Sequence, residues 1–73
     1  MMIDLIVYFK SDPTKFIRIY DINGPIEEIT KTYSEAFQNT GCKALVFLGK
    51  SGAHILNKDA VAMIEIIVRK TNG

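Results

Sequence analysis

One stretch of the chain has the residue types and spacing of a loop that holds nucleotide phosphates. Ala44-x-x-x-x-Gly49-Lys50-Ser51 satisfies the permissive P-loop pattern. Such a loop works because glycine-rich backbone between a strand and a helix turns its N–H groups toward phosphate. Here the four variable positions are Leu45, Val46, Phe47 and Leu48, strong strand formers whose backbone groups belong in a sheet ladder. Gly-Ala-His-Ile-Leu-Asn follows Ser51 and does not begin a helix. The pattern therefore reads as a strand entering a hairpin turn, Gly49-Lys50-Ser51-Gly52, and neither a nucleotide nor any other cofactor is expected.

The remaining chemistry-bearing residues do not assemble into a known constellation. His54 is the single histidine and Cys42 the single thiol, so a multi-histidine metal site or a Cys-x-x-Cys pair is not available within one chain. A two-residue Lys50-Ser51 loop sets His54 across from Phe47, with Cys42 several residues further along the ladder. Asp4, Asp12, Asp21, Asp59 and the four glutamates fall mainly at turns, strand edges and the wet side of a helix, where they read as solvated charges. No catalytic or metal-binding residue is assigned, and an enzyme is not expected. Tyr8, Lys10, Lys15, Arg18 and Tyr20 form a candidate nucleic-acid patch, because basic and aromatic side chains alternating on a sheet face suit single-stranded bases and phosphates. A net charge of +1 makes nucleic acid a disfavoured partner.

The elements that must position these residues follow from periodicity. Ile3, Leu5, Val7 and Phe9 alternate with Asp4, Ile6, Tyr8 and Lys10, which predicts a strand. Ser11-Asp12-Pro13-Thr14 is a turn, and Lys15 to Asp21 a second strand pairing with the first. Asn23-Gly24-Pro25 marks a helix start, with Glu27 and Glu28 at its positive end. Ile26, Ile29, Tyr33, Ala36 and Phe37 form its apolar stripe, and Asn39-Thr40-Gly41 its stop, with Gly41 in the left-handed region. Cys42 to Leu48 is a continuous apolar run and reads as an interior strand, followed by a short strand over Ala53 to Leu56. Five β-branched residues between Val61 and Val68 favour a strand for the last segment, with a second helix over 58–70 as the alternative. The 73 residues thus predict one domain, 1–73, of α+β class: a mostly antiparallel sheet with one amphipathic helix on one face, in the order strand, strand, helix, strand, strand, strand.

Apolar residues make up 48% of the chain, and one helical stripe covers only one face of such a sheet. Leaving four or five large apolar side chains in water forfeits about 1.5–3 kcal/mol each, as much as a small domain's net stability. A second copy of the chain is the simplest cover, so a homodimer is expected, with Leu45, Phe47, Met63 and Ile67 as its face. The longest apolar runs are about five residues against the ~20 that a membrane helix needs, and the N-terminus lacks a basic signal region. A cytoplasmic protein is expected, without membrane contact.

ILNKDAVAMIEII, residues 55–67, resembles the strand, Asn-containing turn and Ile-Glu-Ile strand of many small bacterial and phage proteins. In length and element order the whole chain resembles the small prophage-encoded Yopt-like family. That resemblance implies a dimeric α+β protein without an assigned activity, and it brings no functional residues with it. The function expected is that of a small homodimeric accessory protein that acts by binding another macromolecule.

Overall fold

The computed structural model describes residues 2–50 and 52–70. It is α+β, with antiparallel sheets and one α-helix: β1 (Met2–Phe9), β2 (Phe16–Ile22), α1 (Ile26–Gln38), β3 (Ala44–Gly49), β4 (Gly52–Asn57), a 3-10 turn (Lys58–Ala60) and β5 (Val61–Arg69). The last segment is a strand, as its β-branched residues favour.

The strands divide between two sheets. β1 lies at the centre of a three-stranded sheet in the order β2-β1-β5, antiparallel on both sides, and β3 and β4 form a separate two-stranded ribbon. Central placement explains why Ile3 to Val7 are all buried. Leu5 pairs with Ile19 on one side and Ile66 on the other, and Val7 with Ile17 and Ile64. Cross-strand partners share a face, so these residues form one apolar surface. α1 lies on it and buries Ile29, while Ile26, Tyr33 and Ala36 pack at the margin of the core. Leu45 and Phe47 complete this core from β3, and the Phe47 ring stacks on Tyr33 with centroids 4.8 Å apart.

Local chemistry fixes the connections. Asp12 accepts from the Thr14 N–H at 3.0 Å and the Thr14 hydroxyl at 2.6 Å, closing the β1–β2 turn. Pro25 is itself the N-cap of α1, without a side-chain cap, and its carbonyl accepts from Glu28 and Ile29. The helix ends at Asn39, whose side chain accepts from the Gly41 N–H at 2.9 Å. Gly41 does not take the positive φ expected of it; Gly24 and Gly52 do. Lys58 donates through Nζ to the Asn39 carbonyl at 2.6 Å, bringing a positive charge to the helix's negative end and tying the ribbon's base to α1.

β3 departs from the interior strand expected of a continuous apolar run. It is laddered to β4 alone and meets β2 only at its end, where the Lys50 N–H donates to the Tyr20 carbonyl at 3.3 Å. A Cβ on Gly49 would stand 2.9 Å from both Ile19 Cγ2 and the Tyr20 oxygen, so glycine permits this crossing. Only one face of β3 is buried; its other apolar residues face outward.

Candidate functional site

Two surfaces hold the residues that the sequence singles out. The first is the face of the three-stranded sheet turned away from α1. A register shift between Ile3 and Leu5 sets Tyr20 and Asp21 opposite Asp4, and Asp21 takes φ 56°. This bulge re-aims the strand so that the Asp21 N–H donates to Asp4 Oδ1 at 3.1 Å.

Asp4 has no exposed surface, and two arginines close over it. Arg18 donates to Asp4 Oδ2 from Nη2 at 2.8 Å and from Nε at 3.2 Å. Arg69 Nη2 donates to Asp4 Oδ1 at 3.0 Å and also to Asp21 Oδ1. Its Nε is 2.7 Å from Asp4 Oδ2, an ion-pair contact without hydrogen-bond alignment. Both guanidinium groups stand over the Tyr20 ring, 5.2 and 5.9 Å from its centroid. Burial alone pushes the Asp4 carboxyl up, but the hydrogen bonds from Arg18, Asp21 and Arg69 together outweigh it and hold the group below the ordinary carboxylate range. Two arginines and two aspartates leave the cluster formally neutral.

The candidate nucleic-acid patch is therefore only partly assembled. Arg18 is committed to Asp4, and the Tyr8 hydroxyl donates to Glu65 at 3.0 Å, a bond that raises the Tyr8 pKa. Tyr20 is stacked under the guanidinium groups, and Lys10 and Lys15 are exposed near the β1–β2 turn. Asp4 is not the solvated charge that the sequence suggests; the signal missed was a carboxylate in the middle of the chain's most apolar strand. Arg69, 65 residues away, has no local pattern to link it to Asp4.

The second surface is the outer face of the ribbon. Val46 pairs with Ile55 and Leu48 with Ala53, and these side chains project away from the core. Val46 is 50%, Leu48 66% and Ile55 72% exposed, with Ala44 and Ala53 exposed beside them. The expected dimer residues do not share this face. Leu45 and Phe47 are buried under α1, because the two-residue alternation turns them inward to the helix stripe. Met63 is exposed and Ile67 half-buried on the other sheet.

His54 lies opposite Phe47, and Cys42 Sγ contacts the Ala44 carbonyl at 3.2 Å. Of the P-loop-like pattern, Leu45 to Gly49 lie in β3, and Ser51 is outside the described residues. A cleft of about 250 Å³ between α1 and β3 is lined by Glu28, Ile29, Tyr33, Val46 and Leu48. A second, of about 340 Å³, lies between α1 and β5 against Phe37, Met63, Ile64 and Ile66. Glu28 is the single carboxylate lining either, so an acid–base pair does not converge there. Among the described residues, no cluster of three or more His, Cys, Asp or Glu side chains could hold a metal ion. Among the same residues, no helix is long and apolar enough to cross a membrane. No family model matches the chain, and neither does any curated protein or solved structure.

Proposed function

We propose that this chain is a small homodimeric interaction protein of the cytoplasm that acts by contacting another macromolecule, with the β3–β4 ribbon as its contact element. The observation that carries this reading is the outer ribbon face, where Val46, Leu48 and Ile55 stand 50–72% exposed with no charged residue among them. Exposed apolar residues scattered singly are ordinary, whereas several joined on one face mark contact surfaces. The alternative anchor, the opposite face of the three-stranded sheet, already satisfies its own charges through Asp4, Arg18, Arg69 and Asp21. Light scattering across a dilution series tests the association: a mass of twice 8.2 kDa is expected at high concentration, and a single-chain mass at every concentration overturns the homodimer.

A further inference from the structure

The backbone of the ribbon has two outer edges, and they differ. Lys58 N–H donates to the Lys43 carbonyl at 3.0 Å, and Gly49 pairs with Gly52 at the far end of the ladder. Antiparallel strands use alternate residues for each neighbour. The even-numbered positions of β4, Gly52, His54 and Leu56, therefore bond to β3, while Ala53 and Ile55 turn their N–H and C=O groups away from it. On β3 it is Ala44, Val46 and Leu48 that turn outward, and part of that edge is occupied. The Tyr33 hydroxyl donates to the Val46 carbonyl at 2.9 Å, and the strand end joins β2 through Lys50 and Tyr20. β4 is laddered to β3 alone, and all its residues but Leu56 are exposed.

Folded proteins blunt free strand edges with charges, prolines or bulges. β4 reads Gly-Ala-His-Ile-Leu-Asn, has no proline or acidic or basic residue except His54, and keeps an unbroken register against β3 from Ala44↔Asn57 to Gly49↔Gly52. β5, the outer strand of the other sheet, is blunted: Glu65 sits at its middle, Arg69 at its end, and its register slips between Tyr8 and Phe9.

We infer that β4 pairs edge to edge with β4 of a second copy of this chain, antiparallel about a two-fold axis at Ile55, joining two ribbons into one four-stranded sheet. The inference rests on the homodimer reading and names its interface. A second copy fits better than an unrelated strand because β4 is self-complementary in this register. Ile55 meets the second copy's Ile55 with both backbone bonds made, Ala53 faces Asn57, and His54 faces Leu56, so no like charges oppose each other. Ile55, the most exposed large apolar side chain among the described residues, is then at the axis. The apolar outer faces of the two ribbons become continuous.

Cross-linking and mass together test this. In a hydrogen-bonded antiparallel pair the Cα atoms are about 5.5 Å apart, within the range of about 4.4–6.8 Å that a disulfide spans. In a Cys42→Ser background, Ile55→Cys is expected to form a disulfide-linked dimer on mild oxidation and Met63→Cys on β5 to remain a single chain. Ile55→Lys, at a position exposed in the single chain, is expected to keep the circular dichroism spectrum and lose the dimer mass. Three results overturn the edge pairing while leaving a homodimer standing: linkage through Met63→Cys alone, linkage through neither variant in a protein of dimer mass, or an Ile55→Lys protein that stays dimeric. A wild-type chain of single-chain mass throughout, with no linkage at Ile55→Cys, removes both the interface and the homodimer.

Discussion

The two outward sheet faces of this molecule are closed in opposite ways. Opposite α1, the three-stranded sheet covers its Asp4 end: Arg18 and Arg69 fold over Asp4 and lay their guanidinium groups on Tyr20, so a carboxylate in the most apolar strand has no exposed surface. The ribbon has no such cover, and Val46, Leu48 and Ile55 remain in water. Long arginine side chains can shield a sheet face that has no helix, because their stems are apolar and their heads find partners. Counting apolar stripes against apolar strands misses that device. Unshielded apolar surface remains on the ribbon and also at the Tyr8 end of the main sheet, where Phe16 and Met63 are 58% and 52% exposed.

The contrast is broken most severely from inside the ribbon. Phe47→Ala removes a fully buried ring and its stack on Tyr33, and a loss of about 3–5 kcal/mol is expected in urea unfolding. A loss no larger than that of an exposed-face substitution would mean that the ribbon does not share the core.

Asp4→Asn opens the shielded face. It removes the charge that orders both arginines, which are about one third exposed and can rehydrate, and weakens the acceptor of the Asp21 N–H. A cost of about 2–3 kcal/mol at pH 7 is expected. The sign of the pH dependence follows from the lowered pKa. Between the unfolded carboxylate value, about 4, and the lower folded value, the unfolded chain binds more protons, so stability falls as pH falls. The contribution of Asp4 is complete above that window and lost below the folded pKa. Denaturation midpoints from pH 7 to pH 2 should therefore drop more for the wild type than for Asp4→Asn. A residual slope should remain from Asp12, whose carboxyl Thr14 also holds low. Parallel curves would remove the ionic account of this face.

The local signals were legible in the sequence wherever one element decided them. Alternation in Ile3–Phe9, the Pro25 helix start and the β-branched 61–68 segment each read through to the α+β class with antiparallel sheets and one helix. Long-range choices were not legible. Nothing local tells Asp4 that Arg69 will stand beside it, and nothing in Ala44–Leu48 tells which of two equally apolar faces α1 will take. The deciding contact is Tyr33, which stacks on Phe47 and reaches the Val46 carbonyl, so Leu45 and Phe47 turn inward and the outer face holds Val46 and Leu48. Tyr33→Phe keeps the stack and deletes the bond, and a loss of about 1 kcal/mol is expected; no change would mean that ring packing alone orients β3.

The smallest expected effect is the most discriminating for the open face. Leu48 is 66% exposed and sits on β3, one strand inside the proposed β4 junction. Edge pairing leaves its side chain on the outer surface of the joined sheet, so Leu48→Ser should change neither the mass by light scattering nor, beyond about 0.5 kcal/mol, the stability. Stacking of two ribbons face to face would instead bury Leu48 against the second copy. The same substitution would then lower the dimer mass at a concentration where the wild type is paired, and its cost would grow with protein concentration because the lost contact belongs to the associated state. Ile55 lies at the junction in one arrangement and on the stacked face in the other, so it cannot separate them. Leu48 can, because only face-to-face burial makes it matter.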